Sequence, residues 1–271
     1  MSLDPLPPLA RAALLLDLDG TLLDIAPTPD SVVVPPCLPA TLHTLRHRFG
    51  GALAVITGRP VEAIDSLLGN CVQAVAGEHG GAIRHAPGQA VERPDLPTPP
   101  EPWLADAAAL AARFPGTILE RKPRGFGLHF RLAPEAGPVF QAALASMLAG
   151  STQFRLLQGH MLWEVRPVGV DKGDAVAALM RAPPFAGRQP IFIGDDVTDE
   201  DGMRVARSLG GAGLRVQDAF GDPAGVRAWL KQAAASEHSM ADWPPLPVAA
   251  RGGAAGEPTG RPAGRPPGRP A

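Results

Sequence analysis

Two aspartates one residue apart, Asp17 and Asp19, follow Leu14-Leu15-Leu16 and lead into Gly20-Thr21. Three consecutive apolar residues read as the end of a strand buried on both faces, and Gly20 permits a sharp turn after it. In open α/β sheets ligands bind beyond the carboxyl ends of the strands, so this is the expected address for chemistry. A D-x-D alone is weak, because acidic residues often end strands, but three more apolar runs end in polar residues. These are Thr57 after 52–56, Glu78 and His79 after 72–76, and Asp195 and Asp196 after 189–193. Lys172 opens a later helix. Carboxylates gathered at one sheet edge resist ionising together. A hard cation relieves this, and an all-oxygen donor set suits Mg²⁺, which commonly takes one or two carboxylates plus a substrate phosphate. Thr57 and Lys172 are suited to the remaining phosphate oxygens. The set describes a phosphoryl-transfer site, where positioning and charge neutralisation do most of the work.

The elements that must carry these residues alternate strand and helix, which predicts a doubly wound parallel sheet of the Rossmann type. Strands are expected at 9–16, 52–56, 72–76, 189–193 and 214–216, and helices at 39–49, 60–68, 172–180, 203–209 and 223–231. The stretch 26–36 holds four prolines and reads as an extended loop. Between Thr57 and Lys172 lie far more residues than one strand–helix return needs. Five prolines in 94–102 mark a linker. A helix at 103–114, strands at 117–122 and 127–132 turning at Gly125, a helix at 134–149, and strands at 153–157 and 161–166 turning at Gly159 then follow. That order fits an inserted α+β unit with its helices on one face of an antiparallel sheet. The expected divisions are a core of 1–94 and 167–243, an inserted unit of 95–166 and a Pro/Gly/Arg-rich tail of 244–271, read from composition as disordered.

Composition narrows the function classes. The chain has 271 residues, 45% of them hydrophobic, which is enough for a sizeable core. Net charge is −2; residues 251–271 hold four Arg against one Glu, so the remainder carries −5, a poor sign for a nucleic-acid binder. Cys37 and Cys71 form neither a disulfide framework nor a metal motif, and both read as reduced core thiols of a cytoplasmic protein. No apolar run is long enough to cross a membrane, no signal peptide is evident, and no obligatory protein partner is indicated.

Asp17-Leu18-Asp19-Gly20-Thr21, Thr57, Lys172 and Gly194-Asp195-Asp196 resemble, in order, the four motifs of the haloacid dehalogenase superfamily of phosphohydrolases. The resemblance spans the whole core. It implies that Asp17 attacks phosphorus and that Asp19 acts as acid and then base. It also implies that Thr57 and Lys172 bind phosphate, and that Mg²⁺ is held by Asp17, the Asp19 carbonyl and Asp195, with Asp196 or Asp199 behind. Further stretches resemble the trehalose-6-phosphate phosphatase family of that superfamily. They are Gly77-Glu78-His79-Gly80, Glu120-Arg121-Lys122, Leu128-His129-Phe130-Arg131, and Trp163-Glu164-Val165-Arg166-Pro167 running into Asp171-Lys172-Gly173. The chain departs from the pattern at Pro123-Arg124. The implied substrate residues are Glu78, His79, Glu120, Lys122 and Glu164, and the implied activity is hydrolysis of trehalose 6-phosphate to trehalose and phosphate.

On residue types alone, Glu120 and Lys122 share one strand face, as sugar contacts would or as an exposed charged face would. His129 reads as a packed sheet histidine in preference to a binding residue, and Arg59 and Arg166 read as structural ion pairs in preference to phosphate contacts. Hydrolysis of sucrose phosphate or a glycosyl phosphoglycerate is the near alternative. A phosphomutase and a non-catalytic sugar-phosphate sensor use the same fold. Deleting residues 251–271 is expected to leave melting temperature and phosphate release nearly unchanged; a large drop in either would show that the tail docks on the folded part.

Overall fold

The computed structural model describes residues 3–235 and 243–247. In chain order the elements are β1 (Ala12–Leu16), α1 (Leu38–Arg48), β2 (Leu53–Ile56), α2 (Val61–Leu68), β3 (Ala74–Gly77), β4 (Ala82–Arg84), α3 (Glu101–Ala111), β5 (Ile118–Lys122), β6 (Gly125–His129), α4 (Ala136–Met147), β7 (Phe154–Gly159), β8 (Leu162–Pro167), α5 (Lys172–Leu179), β9 (Gln189–Gly194), α6 (Asp199–Ser208), β10 (Ala212–Arg215), α7 (Val216–Ala219) and α8 (Pro223–Ala235).

The larger sheet runs β10-β9-β1-β2-β3-β4. Its central strands are buried on both faces and read as unbroken apolar runs, as a sheet covered by helices on both sides requires. Register brings the chemistry together: Leu16 pairs with Val55 on one side and Ile193 on the other. Asp17, Thr57 and Asp195 therefore all leave the sheet at the same edge. The doubly wound α/β core expected from the strand–helix alternation is the observed one.

Several expectations are corrected. The first strand begins at Ala12, because Leu9–Arg11 forms a 3₁₀ turn after Pro8. A short strand, β4, was not expected; it pairs antiparallel with β3, so the sheet is mixed rather than wholly parallel. Three residues are too few to show a period. Gly125 lies inside β6 opposite Lys122, and the turn is Pro123-Arg124. A Cβ at Gly125 would sit 2.5 Å from the Val165 carbonyl oxygen, so glycine there serves close strand approach, not a turn. Helix α6 starts at Asp199, four residues early, with Asp199, Glu200 and Asp201 in its first turn, where carboxylates favour the helix dipole. The packed chain also runs past Pro244. The Trp243 ring stacks on Trp229 at 5.0 Å, the Trp229 indole N–H donates to the Pro244 carbonyl at 2.8 Å, and Leu246 packs on the core. The rest of the expected tail, 248–271, lies outside the described residues.

The second sheet is antiparallel in the order β5-β6-β8-β7. Phe126, Leu128, Trp163 and Val165 bury one of its faces against α3 and α4, together with Phe140 and Leu144. This cluster is separate from the one around the larger sheet. On that basis we propose residues 95–166 as the inserted unit. Alternation turns Glu120, Lys122, His129 and Glu164 to the other face, over the edge that carries Asp17.

Phe192 is fully buried on β9 beneath α6, where a Cβ at Gly202 would come within 2.6 Å of its ring. Phe192→Ala removes that packing and is expected to cost about 3–5 kcal/mol by urea unfolding. A cost under about 1 kcal/mol would mean the layer between β9 and α6 is looser than described.

Candidate active site

Lys172 is the hub of the site. Its neighbour Asp171 caps α5, accepting from the Asp174 backbone N–H at 3.0 Å while Asp174 accepts from that of Asp171 at 3.1 Å. This reciprocal cap fixes Lys172 as the first helical residue. An ammonium at a helix N-terminus opposes the dipole, and Lys172 is 3% exposed, so it needs anionic partners. It donates to Asp17 Oδ1 at 2.7 Å and to Asp199 Oδ1 at 2.5 Å. The other Asp199 oxygen accepts from the backbone N–H groups of Asp195 and Asp196, at 3.0 and 2.9 Å. Thr21 donates to Asp195 Oδ1 at 3.4 Å. Gly20 sits at φ +85°, and any Cβ there would collide with the Asp195 carboxylate. Glycine is demanded twice, by the turn and by the space.

Asp17, Asp195 and Asp199 each offer an oxygen within 4.8 Å of the others, and among the described residues no other cluster of three such ligating side chains occurs. Burial, then Asp199, raises the Asp17 carboxyl well above its usual range. Burial, then Asp199 and Asp196, pushes Asp195 up to about 6. Burial alone would lower Lys172, but Asp17 and Asp199 outweigh it and hold the ammonium protonated far above the ordinary lysine value. Three carboxylates and one ammonium leave excess negative charge in a buried space. The all-oxygen donor set fits a hard divalent cation.

The expected metal residues divide. Asp17 and Asp195 are in the acidic group. Asp196 is half-exposed and outside the group; it lines the same cavity and accepts from the Val197 N–H at 2.6 Å. Asp199 lies in the group because the first turn of α6 points that side chain back into the edge. The Asp19 side chain is also outside; Arg59 grips both its oxygens, at 2.7 and 2.8 Å, and donates to the Pro29 carbonyl at 2.9 Å. Arg59 thus forms the ion pair expected of it. Among the described residues Arg166 does not: it is buried, and its Nε and Nη1 find no hydrogen-bond partner there. Thr57 is buried at the end of β2, and its hydroxyl oxygen accepts from the Arg59 N–H at 3.2 Å.

A cavity joins this edge to the face of the second sheet, lined by Asp17, Asp19, Thr57, Lys172 and Asp195 below and Glu120, Lys122, His129 and Glu164 above. Lys122 donates to Glu164 at 2.5 Å, lies 3.9 Å from Glu120, and His129 meets Glu120 at 2.8 Å. Burial would raise the Glu164 carboxyl, yet Lys122 and His79 hold it well below its usual value. His79 reaches Glu164 from the core at 2.9 Å. Burial drops His79 to about 4, so the contact is a neutral imidazole donating to a carboxylate rather than an ion pair.

Glu78 is corrected. It faces away from this cavity, pairs with Arg93 at 3.2 Å, and lines a smaller cavity behind it. Both Glu78 and His79 have positive φ, and this turn sends the two side chains apart. His129 and Arg131 line the main cavity, although His129 reads from sequence as packed core. The signal for His129 was present: it lies two residues from Gly127, which is opposite Glu120 and Glu164.

A strand ending in Asp17-Leu18-Asp19-Gly20-Thr21, with Thr57, Lys172 and the Asp195 loop on neighbouring elements, places the chain among the haloacid dehalogenase-like hydrolases. The fold agrees: a C. albicans structure titled trehalose-6-phosphate phosphatase C-terminal domain superposes with a TM-score of 0.72 at 20% identity, covering 83% of this chain and 92% of that one. Residues 15–222 match the trehalose-phosphatase family model, and the chain belongs to that family. A Sinorhizobium fredii protein named probable trehalose-phosphate phosphatase is 41% identical over 208 residues, 75% of this chain and 77% of its own. The Escherichia coli trehalose-6-phosphate phosphatase is 37% identical over 209 residues, 76% of this chain and 78% of its own.

A pH dependence follows for chelator-treated protein. Asp195 titrates at about 6 when folded, above the ~3.9 of an unfolded aspartate, and Asp17 shifts the same way. Raised carboxyl values stabilise fully below the unfolded value, and that contribution is lost as pH rises through about 6. Melting temperature of the metal-free parent is therefore expected to fall across this window relative to Asp195→Asn, and a divalent cation should restore it in the parent only. A parent that gains on Asp195→Asn as pH rises would contradict the crowding.

Proposed function

We propose that the chain is a Mg²⁺-dependent phosphatase that hydrolyses trehalose 6-phosphate to trehalose and phosphate through an aspartyl-phosphate on Asp17. The observation that carries the chemistry is the buried Asp17 carboxylate, held by Lys172 at the floor of a cavity roofed by paired charges on the second sheet. The names of the two bacterial relatives favour the disaccharide.

Asp17, the Asp19 carbonyl and Asp195 would hold Mg²⁺, with Asp199 behind. When bound, Mg²⁺ supplies positive charge that offsets the crowded carboxylates and the substrate phosphate. Lys172 orients the Asp17 carboxylate, one oxygen of which attacks phosphorus as the bond to the sugar oxygen breaks. Asp19 gives its proton to that leaving oxygen. To carry a proton, Asp19 must release one of its two Arg59 bonds. Asp19 then takes a proton from a water, whose oxygen attacks phosphorus and breaks the bond to Asp17, returning the free carboxylate and phosphate. Thr57 and Lys172 steady the phosphoryl oxygens. Glu120, Lys122 and Glu164 bind sugar hydroxyls through charge-assisted hydrogen bonds, and His79 completes that wall. The two free cysteines favour a cytoplasmic setting, and no described helix is long and apolar enough to cross a membrane.

Phosphate release from a panel of sugar phosphates, with Mg²⁺ and with chelator, tests this reading. Trehalose 6-phosphate should be the preferred ester, and chelator should abolish turnover. Asp17→Asn should lose at least ~10³-fold in kcat with an unchanged fold by circular dichroism. Preference for sucrose phosphate or a glycosyl phosphoglycerate would overturn the substrate, and substantial Asp17→Asn turnover would overturn the covalent step.

A further inference from the structure

We propose that His79 is a positioning residue, which fixes the Glu164 carboxylate for the sugar and ties it to the phosphate end of the site at Thr57. The inference rests on the phosphatase reading above.

His79 bridges the two halves of the cavity. Its side chain bonds Glu164 on the second sheet, while its backbone N–H donates to the Thr57 carbonyl at 2.9 Å. The residue before it is tied in the same way: the Glu78 N–H donates to the Arg59 carbonyl at 3.0 Å. The loop is therefore laced to the segment that carries Thr57.

The backbone shows that this placement is imposed. Glu78, His79 and Gly80 have φ of +53°, +55° and +102°, three left-handed residues in succession, two of them not glycine. Such conformations cost free energy and persist only where the surroundings enforce them. The enforcement is visible. A Cβ on Gly58 would lie 2.5 Å from the His79 Nε2, so the imidazole occupies the space that a side chain beside Thr57 would take. A Cβ on Gly80 would lie 2.6 Å from the Asp171 carbonyl oxygen, just ahead of Lys172.

The hydrogen-bond inventory of Glu164 gives the consequence. Lys122 takes Oε1 and His79 takes Oε2. A carboxylate has about four lone-pair sites, so each oxygen keeps one for a hydroxyl. With both oxygens anchored, the carboxylate is held against rotation, and its remaining acceptor sites form a fixed pair suited to adjacent sugar hydroxyls in the cavity that Glu164 lines. His79 is neutral, so its proton lies on Nε2, facing Glu164. Its Nδ1 is buried without a partner, which leaves the ring no competing bond to turn towards. A sugar seated on Glu164 then bears, through one imidazole, on the loop that shapes Thr57. Binding energy from the sugar is directed to orienting the phosphate. An ester without the sugar cannot use this path.

The test uses the full chain with Mg²⁺, on whichever sugar phosphate the parent hydrolyses best and on p-nitrophenyl phosphate. His79→Gly suits the left-handed backbone and keeps its N–H, and His79→Gln restores an N–H donor at nearly the reach of Nε2. His79→Gly is expected to lower kcat/KM for the sugar phosphate by ~30-fold, largely in kcat, as loss of one charge-assisted hydrogen bond would. The loss on the aryl ester should be at least ~10-fold smaller, millimolar imidazole should return several-fold activity towards the sugar phosphate, and His79→Gln should recover most of it. In a Glu164→Gln background, His79→Gly should add less than ~3-fold, because the pair acts as a unit. Equal losses on both esters, no rescue by imidazole or glutamine, or additive losses with Glu164→Gln would each overturn the proposal. If the parent releases phosphate from another sugar phosphate but not from trehalose 6-phosphate, the substrate reading fails, and the same variants on that ester still decide the role of His79.

Discussion

One ammonium shared between two buried carboxylates holds this site together. Lys172 begins α5 and lies between Asp17, which follows β1, and Asp199, which opens α6. Three elements far apart in the chain are joined at one charge. A buried ion pair is a poor source of net stability, because desolvation offsets most of the attraction, but breaking one leaves an uncompensated charge and is costly. The cluster is better understood as a means of fixing geometry. It sets the Asp17 carboxylate at a defined angle, keeps it from rotating, and leaves the acidic group short of positive charge. The shortfall makes the edge receptive to a cation and a phosphate.

The opposite wall follows the same logic with the signs redistributed. Glu120 and Glu164 flank Gly127 on paired strands, and Lys122 stands near both. Burial would raise both carboxyls, and the neighbouring cations reverse that, so the wall stays ionised at neutral pH. Gly127 keeps the middle of the face low; a Cβ there would come within 2.8 Å of Leu162. Charged groups held apart by a glycine floor form a surface with many oriented donors and acceptors, which a polyhydroxylated ligand can satisfy. The two walls meet through His79 and Glu164.

Much of this was legible because the sheet edge is a strong constraint. Asp17, Thr57 and Asp195 each follow an apolar run of strand length, and parallel register leaves little choice but to gather them. Lys172 was legible as the residue that opens a later helix, in the order the motif resemblance requires. What the sequence left open has local causes. Asp196 and Asp199 could not be separated on sequence, since the choice depends on where α6 begins, and the acidic first turn moved that start four residues earlier than the apolar spacing suggested. Glu78 and His79 are adjacent in sequence, and only a left-handed backbone, which their residue types do not announce, sends them to different cavities. The strand β4 is three residues long and carries no period. His129 was misjudged for another reason: its residue type favoured core packing, while its two-residue offset from Gly127 on the same strand already placed it on the charged face.

The central claim is that Asp17, held by Lys172, becomes covalently phosphorylated. The most direct measurement is rapid acid quench of the full-length protein mixed with phosphorus-labelled trehalose 6-phosphate and Mg²⁺, followed by peptide mapping. The expected result is transient, hydroxylamine-sensitive label on the peptide containing Asp17, absent from Asp17→Asn and rising before free phosphate does. Phosphate released at the full steady rate with no label on that peptide, or with label on another residue, would contradict it.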